Sequence, residues 1–310
     1  MRRFSRMMVA LVFMLVAMST QAQEPITGID LLEGFGVDLE TAEIETETVA
    51  PGIHVLFGVG GNVAVTIGDQ GVLVVDDQLP AMVPRIRAAI QELDGGQVDF
   101  VINTHWHWDH TDGNLLLAGG GSWIVSHAKS REMMTASQLI IRVDEVVNQP
   151  PSPAEALPVI TYEDRMRFHF NGEQIDLMHF GPAHTTGDAV VVFRGANVVH
   201  MGDVYWSTKY PFIDSDNGGS LDGMIQFCEA VLKEINEDTV VIPGHGSVAA
   251  YSDLVEYIAM LRIIRDRIAS LIDSGASLEE VIAAKPTAEW DSERGNPTLL
   301  LNRSYRGSTR

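Results

Sequence analysis

Only one cysteine, Cys228, stands in 310 residues, so no disulfide can form within the chain and its stability must come from a packed core, helped by any bound ion. Cys228 lies in the stretch 222–233, where apolar residues recur at helical spacing, and it reads as a buried helix thiol rather than a ligand or nucleophile. Basic residues are scarce too: 21 Lys and Arg, only four of them lysines, face 42 Asp and Glu, for a net charge of −21. A field of that sign repels phosphate backbones and anionic lipid surfaces, which argues against nucleic-acid and membrane-surface partners and leaves a small molecule as the expected partner. Repeats and low-complexity tracts are absent, and 45% hydrophobic content suffices for a sizeable core.

There is one long apolar run, Met7 to Met18, of about a dozen residues, too short to span a bilayer. Arg2, Arg3 and Arg6 precede it, and Thr20-Gln21-Ala22 is an acceptable small-residue cleavage site. Residues 1–22 are therefore expected to be a signal peptide cleaved after Ala22, giving an exported protein, periplasmic or secreted, with no stable membrane insertion after cleavage. No cysteine follows the run, so lipid attachment there is excluded. Losing the three arginines leaves 18 basic residues against 42 acidic and a net charge of −24. Residues 23–50 hold Glu24, Asp30, Glu33, Asp38, Glu40, Glu43, Glu45 and Glu47 with no basic residue, which predicts an acidic, solvated leader packed loosely on the body.

From Ile53 the chain alternates short apolar runs with glycine. Strands are expected at 53–57, 62–67, 72–75 and 98–103, with a helix over Pro80 to Leu93. A further helix is expected from about His127 to Val147, then a stiff, proline-rich connector over 149–158. Strands resume at 166–170, 174–180, 189–193, 197–201 and 239–242, and helices over 251–274 and 278–284 close the chain. Domain 51–250 would carry the function, with residues 251–310 as C-terminal helices packing on the same domain.

Residues 105 to 110 read His-Trp-His-Trp-Asp-His. Imidazole and carboxylate are the ligands that suit zinc and its first-row neighbours. The alternating spacing lets His105 and His107 point one way while Asp109 and His110 point another, so one loop can feed two metals. By chance, the pattern appears in about one shuffled sequence per thousand. Three more strand ends deliver His184, Asp203 and His245, the last in a Gly-His-Gly setting. Loops at strand ends are where sites are usually built. His54, His127, His169, His179 and His200 lack a partner motif and are read as structural.

With these seven residues in this order, residues 50–250 resemble the metallo-beta-lactamase superfamily. The resemblance implies an α+β fold, a four-layer αββα sandwich with the site along one edge of its two sheets. It implies two Zn2+ ions, with iron or manganese as alternatives: His105, His107 and His184 on the first, Asp109, His110 and His245 on the second, and Asp203 bridging. His107 favours zinc over the flavodoxin-linked diiron relatives, which carry a glutamate there, while iron-dependent sulfur dioxygenases share the histidine pattern. A hydroxide shared by the two cations would attack a carbonyl, with catalytic Asp109 orienting it and returning a proton. Asp76 resembles the family's first acidic position, where a carboxylate steadies a ligand imidazole, and Asp77 is the neighbouring candidate. Asp188 and Thr104 are candidates for similar parts.

Two departures shape the substrate reading. Asp112 interposes an acid where the signature commonly runs into Gly-Gly. The family's well-known beta-lactamases place cysteine or serine near Asp203, whereas thioesterases and lactonases use the bridging aspartate. A hydrolase of small esters, thioesters, lactones or amides is therefore expected; a true beta-lactamase and a non-catalytic zinc-binding envelope protein are the alternatives. The aromatic stretch 204–212 supplies candidate substrate contacts in Tyr205, Trp206 and Lys209, with Trp106 and Trp108 completing an apolar rim around one cation.

Overall fold

In the computed structural model, residues 24–309 are described; the expected signal peptide lies outside them. Strands β1 (Glu45–Ala50), β2 (Ile53–Phe57), β3 (Val63–Gly68) and β4 (Gly71–Val75) form an antiparallel meander, which β5 (Val98–Asn103) and β6 (Trp123–His127) extend in parallel. Next comes a separate hairpin, β7 (Gln138–Ile141) and β8 (Val146–Gln149), after which β9 (Ile160–Tyr162) joins the far side of β6. A second sheet holds β10 (Arg165–Phe170), β11 (Glu173–Met178), β12 (Val190–Phe193), β13 (Val198–His200), β14 (Val240–Ile242) and β15 (Ala249–Ala250) in that order, parallel only between β13 and β14.

The central strands read as unbroken apolar runs because both of their faces are covered. In β4, Leu73 and Val75 meet the second sheet while Val72 and Val74 meet helices; in β12, Val191 and Phe193 face the first sheet and Val190 and Val192 face helices. On the first sheet lie α1 (Gly28–Gly34), α2 (Val83–Glu92), α3 (Trp108–Thr111), α4 (Asn114–Gly119) and α5 (Ala128–Met134), each with side chains in the same buried cluster. The other side carries α6 (Leu221–Leu232), α7 (Tyr251–Asp273), α8 (Leu278–Ala283), α9 (Asp291–Arg294) and α10 (Thr298–Ser308). Leu254, Tyr257, Leu261, Leu300 and Leu301 share one cluster with Val190 and Val199, so residues after 250 complete the core of the same body. The layers run helix, sheet, sheet, helix. Among the described residues no helix is long and apolar enough to cross a membrane.

Two expectations are corrected. The helix expected over 127–147 stops at Met134, and a hairpin follows. Ile140, Ile141, Val146 and Val147 are β-branched, which favours the pleated surface, and Arg142 N–H closes the turn on Glu145 O at 2.9 Å. Nor is the acidic segment loose. Its eight acids are exposed as expected, but β1 pairs with β2, Ile26 bridges to β8, and α1 buries Leu31 and Leu32 behind a Thr27–Asp30 capping box. High charge density hid a sparse apolar pattern. Helix α10, with Leu300 and Leu301 buried, lies within the helical segment expected over 251–310, beyond the two helices placed at 251–274 and 278–284.

Cys228 is fully buried on α6, its thiol 3.6 Å from Val204 O, and burial pushes its pKa up. The native protein should give no reaction with Ellman's reagent, and one thiol per chain should appear on denaturation. A reactive native thiol would contradict this packing.

Candidate metal centre

All seven expected ligands meet at one edge of the sandwich, at the C-terminal ends of strands. Chain leaving β5 carries His105 and His107 and enters α3 with Asp109 and His110; the loops after β11, β13 and β14 bring His184, Asp203 and His245. Glycine permits the close approach. A Cβ on Gly244 would sit 2.1 Å from Asp203 Oδ1, and one on Gly61 2.1 Å from the His110 ring.

Buried acceptors fix the tautomers. Thr104 Oγ1 donates to Asp76 Oδ2 at 2.8 Å and lies 3.1 Å from His105 Nδ1, so that nitrogen donates and His105 Nε2 is left bare, buried and without a hydrogen-bond partner. His184 Nδ1 donates to Phe212 O at 2.8 Å, and His107 Nε2 donates to Asp214 Oδ2 at 3.0 Å. The remaining nitrogens, His184 Nε2 and His107 Nδ1, then face each other at 2.9 Å. Two lone pairs so placed repel, and a cation among the three rings removes the repulsion. His105, His107 and His184 therefore fit a metal ion as a neutral nitrogen set.

The other half is a charge-rich mixture. His110 Nε2 lies 3.1 Å from Asp203 Oδ1, and His245 Nε2 lies 3.4 Å from Asp203 Oδ2 and 3.3 Å from Asp109 Oδ2. Asp203 Oδ2 also stands 3.8 Å from His184 Nε2, so its carboxylate lies between the two sets. Electrostatics divide the same way. Burial pushes His105 well below the usual imidazole value, aided by the neighbouring rings, and lowers His184. Burial would also lower His110 and His245, but Asp203 and Asp109 outweigh it, raising His110 well and His245 to about 9. Against their own burial, Asp109 is held near 2 by His110 and His245, and Asp203 well below its usual value by the same rings. The lowered carboxylates and raised imidazoles of Asp109, His110, His245 and Asp203 mark this half as the one that draws positive charge, as a cation would supply.

Supporting contacts are partly those expected. Asp76, buried at φ +64°, accepts from Thr104 N–H at 2.7 Å, Thr104 Oγ1 and His110 Nδ1 at 2.8 Å. Asp188 accepts from Ala183 N–H, Thr185 N–H and Thr185 Oγ1, tying down the His184 loop. The Asp77 side chain instead accepts from Gly113 N–H, while its backbone N–H donates to His110 O at 3.0 Å. Asp214 and Gln149 were missed. The Gln149 side chain, at the end of β8, accepts from Trp108 N–H and donates to Trp106 O, bracing the ligand loop. No local spacing marks either residue.

Beside the ligands opens a cavity of about 870 Å³, with His107, Asp109, Asp203 and His245 on its wall. Trp108, Trp206 and Lys209 line it, Lys209 Nζ lying 5.7 Å over the Trp206 ring, and Trp206 stacks on His245 at 4.5 Å. Tyr205 and Trp106 do not belong to the rim. Tyr205 is 1% exposed, edge-on to Tyr257 at 4.9 Å, and burial pushes its hydroxyl up to about 12; Trp106 is fully buried under the first sheet's helices. In the extended backbone of Tyr205 the side chain faces opposite to that of Trp206, which sends the tyrosine into the core. Asp112 is exposed and away from the cavity wall. Four of the five other histidines hydrogen-bond to partners outside the ligand set: His54 to Thr48, His200 to Asn62 O, His127 to Glu163 O and His179 to Asp188 O.

Comparison with known proteins agrees with this geometry. The family model of the metallo-beta-lactamase superfamily matches residues 56–259. A 2,4-dinitroanisole O-demethylase subunit alpha from Nocardioides sp. (strain JS1661) is 27% identical over 143 residues, 45% of this chain and 40% of that protein's length. A probable metallo-hydrolase of Methanocaldococcus jannaschii is 24% identical over 204 residues, 62% of this chain and 90% of its own. Among solved structures, a metallo-beta-lactamase from Pontibacter korlensis superposes with a TM-score of 0.57 at 15% identity, covering 71% of this chain and 99% of that one. A sec-alkylsulfatase from Pseudomonas sp. gives 0.65 at 14% identity, covering 85% and 50%. At such identities the structures speak for the fold alone. With two thirds of its length matched by the family model and its ligand types gathered at one sheet edge, the chain belongs to the metallo-beta-lactamase superfamily.

Proposed function

We propose that the protein is an exported, dinuclear zinc hydrolase that cleaves a small ester, thioester, lactone or amide. The observation that carries this reading is the pair of ligand sets flanking Asp203, one made of neutral nitrogens and one rich in carboxylate, at the wall of a single cavity. When bound, a pair of zinc ions supplies a nucleophilic hydroxide near neutral pH and polarises the scissile carbonyl. His105, His107 and His184 would hold one ion, Asp109, His110 and His245 the other, and Asp203 both.

The remaining roles fall to the chain. Asp109 reaches the cavity as a carboxylate, able to orient the attacking oxygen and to return its proton to the leaving group. Phe212 and Trp206 keep the wall beside the ligands apolar, and Lys209 offers a cation at the rim.

Metal analysis of purified protein should give about two zinc ions per chain, and chelation should abolish hydrolysis until zinc is restored. A panel of an activated ester, a lactone, a thioester and a chromogenic cephalosporin identifies the bond. Turnover of the cephalosporin alone would make the protein a beta-lactamase. One tightly held ion with no hydrolysis of any activated ester would instead leave a zinc-binding accessory protein.

A further inference from the structure

The cavity is far larger than a scissile bond requires, and much of its wall comes from chain outside the family-matched span. Leu31, Leu32, Phe35 and Val37 precede residue 56, and Leu299 and Leu300 follow residue 259. Phe35 is 60% exposed and Val143 39%, leaving apolar side chains uncovered at the mouth. Into this setting the turn of the β7–β8 hairpin places Arg142. Its guanidinium carbon lies 5.7 Å from the Phe35 ring centroid and 5.6 Å from that of Phe212, and its Nε is buried with no hydrogen-bond partner. Among the described residues the one carboxylate paired with it is Glu145, three residues along the turn, its Oε2 3.8 Å from that same Nε.

The other cavity cations are differently placed. Arg294 is bonded to Trp206 O and Ser207 O, and Lys209 sits over Trp206 at the rim. Phe212 also connects Arg142 to the ligands: its ring stacks on His107 at 6.1 Å and its carbonyl accepts from His184. A guanidinium held against two aromatic faces with open donors suits a planar carboxylate. Asp144 and Glu145 nearby would repel a second charge.

We propose that the site recognises an amphiphilic monoanion, its apolar body on the Leu31–Leu32–Phe35 wall and its carboxylate-like head on Arg142. Turnover of such a compound rests on the hydrolase reading above; binding does not.

The test uses the metal-loaded protein and two matched probes, octane-1-sulfonate, whose head is a poor metal ligand, and octan-1-ol. Calorimetry should give the sulfonate an affinity about ten-fold higher. Arg142→Met should erase that preference with metal content and circular dichroism unchanged. Glu145→Gln, which removes the competing carboxylate, should strengthen it, an effect that a purely structural arginine would not produce. A carboxylated aryl ester should show a KM about ten-fold below its methyl-capped twin, and Arg142→Met should raise that KM alone while leaving kcat in place. Equal binding of the two probes, or a preference that survives Arg142→Met, overturns the proposal. Should Arg142→Met lose metal or fold, Glu145→Gln decides: unchanged or weaker sulfonate binding overturns it. Hydrolysis of both esters without preference removes this inference and leaves the hydrolase, whereas Arg142-dependent sulfonate binding with no ester cleaved does the reverse.

Discussion

Replacing Asp203 by alanine is expected to lower hydrolysis at least about 10³-fold, since metal Lewis acidity contributes several kcal/mol and each factor of ten in rate is about 1.4 kcal/mol. Its two oxygens face three rings, His110 at 3.1 Å, His245 at 3.4 Å and His184 at 3.8 Å, so its carboxylate stands between the two sets. Losing it leaves the neutral His105, His107 and His184 set without a carboxylate and the other set with only Asp109. Asp203→Asn should fail as badly, because charge rather than volume does the work. Plasma mass spectrometry should find metal content below one ion per chain in both variants. Full occupancy with full activity would refute the assignment of Asp203. The fold should survive, for Asp203 reaches the cavity wall and its loss opens no void in the core.

Asp76→Ala is expected to act in the opposite proportion, with stability suffering as much as the metal. The side chain is fully buried and accepts three hydrogen bonds, from Thr104 N–H, Thr104 Oγ1 and His110 Nδ1. A buried donor left unpaired costs about 1–3 kcal/mol, and alanine at φ +64° adds about 1 kcal/mol more. With one donor left unpaired, a loss of about 2–4 kcal/mol follows, a fall in Tm on the order of 10 °C for a domain of this size. Freeing the His110 ring should also weaken metal binding about 10–100-fold, the usual result of removing a carboxylate behind a ligand imidazole. Thermal melts of metal-free protein check the stability loss directly: Asp76→Ala should melt far below the parent. An Asp76→Ala protein with parental Tm would show that the three donors find other partners.

The residues of the candidate metal cluster were legible because they are written locally. Four of them fall within the six residues from 105 to 110, and His184, Asp203 and His245 each follow an apolar run that could only be a buried strand. The sandwich was legible for the same reason, since strands covered on both faces carry no polar alternation to blur them. Local reading failed where composition and contact disagreed. Acidic residues disguised α1, whose few apolar side chains close the cavity, and β-branched residues after Met134 turned an expected helix into the hairpin that carries Arg142 and Gln149.

By itself, then, the amino-acid sequence determined the types and order of the residues in the candidate metal cluster and the layers that present them, because their spacing and that of the strands are properties of neighbouring residues. Tertiary structure alone decided which groups hold the ligands and what the cavity touches. Asp214 meets His107 across 107 positions, and Phe35 and Phe212 meet Arg142 from opposite parts of the chain. Such contacts depend on how separate elements pack, and no spacing along the chain encodes them.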